Sequence, residues 1–246
     1  VAVTETLFDS KETMLAQIDA GGSAYVLIVP SDYMVQTMIE GELLIPLNRD
    51  AIPNIENLDP EFTGLPFDPE GAYSVPYQWG TTGLAFPLEL IPDPSQVSWG
   101  VIFDPEMSEP FAGKIQMLND ERETLGAALK YLGYSLNSTN EDEINEAAEL
   151  VRAAKDRIAT FDSDAYDDLL MSGETVIAHG FNGNFFQSFD EADAWETFGY
   201  AVPIEGGTVW VDNMAIPVTA QSVCTAHAFI NFIMDAENGA TLTNFN

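Results

Sequence analysis

Two patterns of apolar residues recur along this chain of 246 residues, one at helical spacing and one in short continuous runs. Apolar positions three and four residues apart predict amphipathic helices over residues 11–18, 34–39, 124–132, 142–158, 166–171 and 226–234. The first helix is expected to begin after Asp9-Ser10 and to end at Gly21-Gly22. Short apolar runs predict buried strands over residues 25–29, 81–86, 114–118 and 176–178, and the first run is typical of a parallel strand.

Helices and strands alternate twice along the chain, which is typical of an α/β fold. Two further segments, near residues 73–82 and 200–212, look extended and long enough to cross between lobes. We therefore expect two α/β lobes joined by two crossing strands, with a ligand cleft between the lobes. The first lobe is expected over residues 1–78 and 208–246, and the second over residues 79–207.

Trp210 and Asp212 form the most informative pair of residues in the sequence. They lie two positions apart in a segment with strand-like alternation, so their side chains are expected to project from the same face. An aromatic ring attracts a cation over its face, and a carboxylate neutralises it, so the pair suits an organic cation. The structural alternative is a core tryptophan beside an aspartate in a turn.

Two other pairs of residues stand where ligands commonly bind. Ser31 and Tyr33 follow the apolar run at 25–29, and ligands collect at the carboxyl ends of strands in open α/β sheets. The alternatives are a helix cap for Ser31 and a half-buried packing residue for Tyr33. Asp120 and Glu123 lie three residues apart at a predicted helix start and share one face. Helix capping is the alternative for these two acids.

Composition limits the classes of partner. The chain has 40 acidic and 8 basic residues, a formal net charge of −32, so a nucleic acid partner is not expected. The acidity is interpreted either as a surface suited to salty surroundings or as a field that gathers cationic ligands. With 15 Phe, 8 Tyr and 4 Trp, the chain has ample apolar material for a packed core.

Residues that could serve catalysis, a cofactor or a metal are sparse in the sequence. Cys224, His227 and His179 are too few and too scattered for a zinc site, and no phosphate-binding or nucleophile motif occurs. We therefore expect no cofactor and no metal. No apolar run approaches the roughly 20 residues that cross a bilayer, and residues 1–6 do not resemble a signal peptide. Either the protein is cytoplasmic or a targeting segment has been removed.

Several stretches, in the same order along the chain, resemble the extracytoplasmic polyamine-binding proteins of ABC importers, the spermidine/putrescine type. The stretches that carry the resemblance are YVLIVPSDY at 25–33, YSVPYQWG at 73–80, NDERETLGAALKYLG at 119–133, GFNG at 180–183, EGGTVWVDNMAIP at 205–217 and AFINFI at 228–233. The resemblance covers nearly all of the chain.

The resemblance implies a two-lobed periplasmic-binding-protein fold of type II that closes on a polyamine and delivers it to a membrane permease, without catalysis. It implies a monomer in the periplasm, or anchored outside the cell as a lipoprotein. The implied ligand-binding residues are Ser31, Tyr33, Asp120, Glu123, Phe181, Asn184, Trp210 and Asp212. Phe181 takes a position usually filled by Trp, and Asn184 stands where some relatives carry an acid.

Two departures from the family pattern concern the ends of the chain. The family begins with a strand and an aromatic-acidic loop that precede residue 1 here, and it continues beyond Asn244-Phe245-Asn246 with a tyrosine-bearing turn and a further helix. We expect weaker binding if nothing replaces these parts. The alternatives to a polyamine receptor are the same fold binding another amine or an amino acid, and a carboxylate-dependent hydrolase that uses Asp120 and Glu123.

Overall fold

The computed structural model describes residues 3–8, 10–21 and 25–244. The chain divides into two compact units, one formed by Val1–Trp79 with Trp210–Phe245 and one by Gly80–Val209. We call them unit 1 and unit 2. The chain passes between the units at 79/80 and at 209/210, whereas the expected boundaries lay at 78/79 and 207/208.

The helices and strands of the described residues are numbered in chain order. The helices are α1 (Lys11–Asp19), α2 (Asp32–Glu40), α3 (Gly100–Phe103), α4 (Pro105–Ser108), α5 (Glu121–Tyr131), α6 (Glu141–Ala154), α7 (Tyr166–Met171), α8 (Asn182–Glu191), α9 (Val223–Ile233) and α10 (Ala236–Thr243). The strands are β1 (Ser74–Pro87), β2 (Ile115–Met117), β3 (Ile158–Phe161), β4 (Ile177–Phe181), β5 (Phe198–Ala201) and β6 (Val209–Ala215). Among the described residues, no helix combines the length and the apolar character needed to cross a bilayer.

Unit 2 is built on a mixed sheet in the order β3-β2-β4-β1-β5. Strand β2 runs parallel to β3 and to β4, and β1 runs antiparallel to β4 and to β5. Parallel neighbours need long connections, and the helices α5, α6 and α7 lie in the stretch between β2 and β4. This topology places the ends of β2 and β4 beside each other, just before α5 and α8 begin.

The sheet of unit 2 has a hydrophobic core on each face. Successive residues of a strand point to opposite faces, and β1 shows this clearly. Leu84 and Phe86 belong to the core that includes residues of α5 and α6, whereas Ala85 belongs to the core of α7 and α8. Strand β4 repeats the division with Ile177 and Ala178. Both faces of the sheet are therefore covered by helices.

Unit 1 is centred on β6, which pairs with β1. Antiparallel bridges tie the same segment to other parts of the unit, and they join Ile28 to Ala215, Ser31 to Asp212 and Leu44 to Pro217. One core packs α1 and α2 against Ile28 and Ala215, and a second packs α9 against Met214 and Ile216.

The predicted parallel strand at residues 25–29 is not formed. Only Ile28 makes a bridge there among the described residues, and that bridge is antiparallel. Val29 is 40% exposed, so this run is not covered on both faces. Pro30, which has no N–H group, then limits any longer ladder. The apolar character of the run predicted a strand, but its one bridge is an antiparallel bridge to β6.

Other differences follow from tertiary pairing. The predicted helix at 142–158 ends at Ala154, because Ile158 pairs with Ile115 as part of β3. The predicted strand at 81–86 is the second half of the longer β1. Helices α8 and α10 were not predicted, although Phe185 and Phe189 of α8 are buried at helical spacing. Asp9 and Gly22, expected at the ends of the first helix, lie outside the described residues, whereas Ser10 caps α1 as predicted.

Gly180 packs closely against the ring of Tyr166, so adding a side chain at Gly180 should lower the stability of the protein. A Cβ atom at Gly180 would overlap the buried ring of Tyr166, whereas a Cβ at Gly183 would meet nothing within 4 Å. We expect Gly180→Ala to lower the free energy of unfolding by about 1–3 kcal/mol through overpacking. Gly183→Ala, in the first turn of α8, is the matched control and should leave stability unchanged or raise it by up to about 1 kcal/mol. Urea denaturation measures both, and equal stabilities for the two variants would contradict this packing account.

Candidate functional site

Asp212 and Ser31 form a direct contact in unit 1, although they lie 181 residues apart in the sequence. Asp212 is in the middle of β6, and Ser31 immediately precedes α2. The Ser31 hydroxyl donates a hydrogen bond of 2.6 Å to Oδ1 of Asp212. Ser31 makes no side-chain capping bond to α2, so the capping interpretation of this hydroxyl is wrong. Its hydroxyl orients a carboxylate instead.

The Asp212 carboxylate is partly withdrawn from water. Burial raises the pKa of Asp212, while the Ser31 hydrogen bond and the positive charge of Lys11 oppose that effect. The direct hydrogen-bond donor is a neutral hydroxyl, which stabilises the carboxylate less than an ammonium or a guanidinium would. Asp212 therefore carries a charge that a ligand cation would stabilise.

Trp210 projects from the same face of β6 as Asp212, as the alternation in the sequence predicted. Both side chains are partly exposed, whereas Val211 and Asn213 between and beyond them are buried on the opposite face. Because Trp210 is partly exposed and Asp212 lies within a strand, this arrangement disagrees with the alternative of a core tryptophan beside an aspartate in a turn. Tyr77, which the sequence did not single out, is close enough that the charge of Asp212 contributes to raising the pKa of its phenol, after burial and Glu5.

Tyr33 lies in the first turn of α2 and is partly buried against the core of α1 and α2. Its hydroxyl donates to Oε1 of Glu12 at 3.1 Å, a contact within unit 1. The packing alternative therefore describes part of this residue, because the ring contributes to the core. The hydroxyl contacts an acidic residue of α1, Glu12.

Asp120 and Glu123 lie together at the start of α5 in unit 2, and they have different roles there. The Asp120 side chain accepts a 2.9 Å hydrogen bond from the backbone N–H of Glu123, so the capping alternative holds for Asp120. The residue Glu123 is only 8% exposed. It accepts a 2.8 Å hydrogen bond on Oε2 from the Thr208 hydroxyl, which lies 85 residues away in the sequence.

Burial also dominates the electrostatics of Glu123. Burial raises the pKa of this carboxyl group, and the negative charge of Asp120 raises it further. The hydrogen bond from Thr208 lowers the pKa. The positive charge of Arg122 lowers the pKa by a smaller amount. Glu123 and Asp212 thus share one chemical state: a carboxylate withdrawn from water whose bonded partner is a neutral hydroxyl.

Phe181 and Asn184 lie at the junction of β4 and α8 in unit 2. Phe181 is the last residue of β4, and its ring meets Tyr166 edge-on with 6.1 Å between centroids. Asn184 lies in the first turn of α8 and is exposed. The side chain that organises this junction is Asn182, whose Oδ1 accepts a 2.8 Å hydrogen bond from the backbone N–H of Thr81.

The predicted residues therefore form separate groups, each within one unit. Ser31, Trp210 and Asp212 gather along β6 in unit 1, with Tyr33 two residues after Ser31. Asp120 and Glu123 gather at the start of α5 in unit 2. The expected cleft between two lobes stays a prediction. Thr208 and Tyr77 were missed, and only their places within the quoted tryptophan-bearing stretches at 205–217 and 73–80 hinted at them.

The two histidines and the cysteine lie in different parts of the two units. In unit 1, His227 bridges two backbone groups, the N–H of Asn48 at 2.9 Å and the carbonyl of Val223 at 2.8 Å. In unit 2, His179 is buried and burial lowers its pKa to about 3, so it stays neutral. Cys224 is exposed. Within the described part of the chain, no three His, Cys, Asp or Glu side chains are grouped as metal ligands.

Comparison with known proteins decides the family. The model of the bacterial extracellular solute-binding protein family matches residues 3–245, which is nearly the whole chain. The chain belongs to this family of solute-binding proteins. Resemblance to the spermidine/putrescine type, seen in the sequence stretches, is confirmed by the relatives and structures below.

The solute-binding relatives are identical to this chain at about a third of the aligned positions. Sequence identity is 33% with the putrescine/cadaverine-binding protein of Pseudomonas aeruginosa, over 98% of this chain and 70% of that protein. It is also 33% with the spermidine/putrescine-binding periplasmic protein of Salmonella typhimurium, over 95% of this chain and 66% of that protein. The chain thus spans about two thirds of the length of these relatives.

Solved structures confirm the predicted periplasmic-binding-protein fold. A spermidine/putrescine ABC transporter protein of Listeria monocytogenes superimposes with a TM-score of 0.86 at 37% identity, over 95% of this chain and 70% of that chain. A lipoprotein of Treponema pallidum superimposes with a TM-score of 0.87 at 34% identity, over 97% of this chain and 74% of that chain.

The raised pKa of Asp212 predicts how stability depends on pH. The ordinary pKa of an aspartate, 3.8, applies to the unfolded chain, and the raised pKa applies to the folded protein. At pH values between these two, the folded protein holds a proton on Asp212 that the unfolded chain has lost. Stability from this group therefore falls as pH rises through that window. Asp212→Asn keeps an acceptor for Ser31 and removes the charge, so its stability relative to wild type should increase across the same window.

Urea denaturation of the ligand-free protein between about pH 4 and pH 8 measures this difference. Asp50→Asn, at an exposed position of unit 1, removes the same charge and is the control. If the stability of Asp212→Asn relative to wild type instead fell as pH rose, the folded state would favour the ionised Asp212, against this account.

Proposed function

We propose that this chain captures polyamines, of the spermidine and putrescine type, as the substrate-binding protein of an ABC importer. The observation that carries the proposal is the matched state of Asp212 and Glu123. Each carboxylate is withdrawn from water, and each is hydrogen-bonded by a neutral hydroxyl. A ligand that brings positive charge would remove the cost of both ionised groups.

A polyamine has the chemistry that these surroundings require. Its ammonium groups each offer several N–H donors, and its methylene segments are apolar. Asp212 and Glu123 accept charge-assisted hydrogen bonds in this proposal, and Asp120 adds negative charge beside Glu123. Trp210, on the same strand face as Asp212, packs against methylenes or attracts an ammonium over its ring.

The names of the relatives support this ligand class. The Pseudomonas aeruginosa relative is named for putrescine and cadaverine, and the Salmonella typhimurium relative for spermidine and putrescine. A micromolar affinity corresponds to about −8.2 kcal/mol. A few charge-assisted hydrogen bonds and ring contacts reach that value after the costs of association.

The proposed setting is outside the cytoplasmic membrane, either in the periplasm or on a lipid anchor, with delivery to permease subunits. We propose a monomer that has no nucleic acid partner. The net charge of −32 repels a phosphate backbone and attracts polyamines. Salt screens such attraction, so the same charge that gathers the ligand acts most strongly at low ionic strength.

A second candidate is an amine or amino acid other than a polyamine, bound by the same fold. Phe181 and Asn184 favour it, because they depart from the aromatic and acidic residues of the family pattern. A phenylalanine keeps an apolar wall without an indole N–H, and Asn184 brings no charge. The hydrolase alternative is disfavoured since Asp120 is held as a helix cap, leaving Glu123 without a second free acid.

Isothermal titration calorimetry at pH 7 tests the proposal. Wild type should bind spermidine or putrescine with one ligand per chain, and the same ligands should raise the melting temperature. Asp212→Asn and Glu123→Gln should each weaken binding about tenfold or more, because a hydrogen bond to a charged group contributes about 1.5–3 kcal/mol. Both variants keep an oxygen for the neighbouring hydroxyl.

Glu174→Gln, at an exposed loop position of unit 2, changes the net charge equally and should retain wild-type affinity. Binding of lysine or a monoamine in preference to any polyamine would favour the second candidate. Failure of the wild-type protein to bind a polyamine at millimolar concentration would contradict the proposal, provided that circular dichroism shows it to be folded. Weakening only by Asp212→Asn would show that Glu123 does not meet the ligand.

A further inference from the structure

Thr208 holds the buried carboxylate of Glu123 from a distant part of the sequence. Its Oγ1 donates to Oε2 of Glu123 at 2.8 Å, and the Glu123 residue is 8% exposed. A carboxylate has two oxygens that both accept hydrogen bonds. Thr208 occupies one acceptor position of Oε2, and the carboxylate has further acceptor positions that a ligand ammonium group can use.

The loop that carries Thr208 is fixed against unit 2 by contacts of its own. The backbone carbonyl of Thr208 accepts a 3.0 Å hydrogen bond from the N–H of Thr82 in β1. A Cβ atom at Gly207 would lie 2.6 Å from the carbonyl oxygen of Thr82, so only glycine lets the loop approach the strand this closely. Thr208 is therefore placed by the backbone and does not depend on Glu123 for its position.

Glu205 anchors the other end of the same loop. Its carboxylate accepts hydrogen bonds from the Ser98 hydroxyl and from the backbone N–H of Trp99. The indole N–H of Trp99 donates to the carbonyl of Gly206 at 2.8 Å, and this indole is buried in the core of unit 2. A loop tied at both ends presents one hydroxyl to Glu123 in a fixed geometry.

We propose that Thr208 is a positioning residue of the amine site, which holds one oxygen of Glu123 and keeps this carboxylate ionised and oriented for a ligand ammonium group. This inference rests on the proposed polyamine function and adds a residue that acts through Glu123. The physical reason is preorganisation: a carboxylate that is already oriented loses less rotamer freedom when the ligand binds.

Several groups besides Thr208 act on the ionisation of Glu123. Burial and the negative charge of Asp120 raise its pKa, whereas Arg122 and the Thr82 side chain lower it. Tyr200 also lies within electrostatic reach of Glu123, and its own pKa is raised chiefly by burial. None of these groups changes in a Thr208 variant, so a change in the titration of Glu123 would report the loss of the Thr208 hydroxyl.

Thr208→Val removes the hydroxyl and keeps the branched shape, and Thr208→Ser keeps the hydroxyl. Binding of spermidine and of putrescine is measured by calorimetry between about pH 5 and pH 8 for wild type and both variants. Titration of Glu123 is followed in the ligand-free proteins by carbon NMR of the labelled carboxyl group, assigned with Glu123→Gln. Thr208→Val should raise the pKa of Glu123 and weaken binding about tenfold, most strongly at the acidic end, whereas Thr208→Ser should stay within about twofold of wild type.

The outcomes separate the inference from the proposed function. If wild type binds polyamine and Thr208→Val matches it in both titration and affinity, the inference is overturned. Weaker binding without a change in the Glu123 titration also overturns it, because the effect is then only structural. Absence of polyamine binding by wild type overturns the proposed function itself. Should Thr208→Val not fold, Thr208→Ala serves in its place under the same criteria.

Discussion

The cost of withdrawing a carboxylate from water is the physical constraint on which this structure depends. An ionised acid in a low-dielectric setting is unfavourable unless a cation or several hydrogen bonds compensate it. The chain places Asp212 and Glu123 in such settings and gives each a hydroxyl partner, Ser31 and Thr208. Native proteins retain buried carboxylates without a cation mainly at functional sites, where a bound ligand supplies the compensating charge.

The fold brings together two hydroxyl–carboxylate pairs whose members lie far apart in the chain. In unit 1, an antiparallel bridge between Ser31 and Asp212 sets the backbone spacing, and the cores on either side of β6 fix it. In unit 2, the pairing of β2 with β4 positions the start of α5, and the glycine-bearing loop before β6 brings Thr208 to it. Each pair is therefore positioned by backbone pairing within its own unit.

Sequence patterns predicted those parts of the fold and site that depend on local spacing. Helix α7 and the shared strand face of Trp210 and Asp212 follow from periodicity alone. Residues 25–29 could not be assigned correctly, because an apolar run does not reveal whether its partner strand is parallel. Asp120 and Glu123 matched a capping pattern, and only the structure shows that one acid caps while the other is buried. Thr208 was missed because a contact over 85 residues has no local signature.

Proton release on ligand binding is the most direct measurement of the central claim. Polyamine ammonium groups titrate well above neutral pH, so protons released under acidic conditions come from the protein. Calorimetry in buffers of different ionisation enthalpy should show protons released when spermidine or putrescine binds at about pH 5, and fewer protons released at about pH 7, because the raised pKa values leave more of these carboxyl groups protonated at the lower pH. Heats that do not depend on the buffer at either pH, or proton uptake at the acidic pH, would contradict the account.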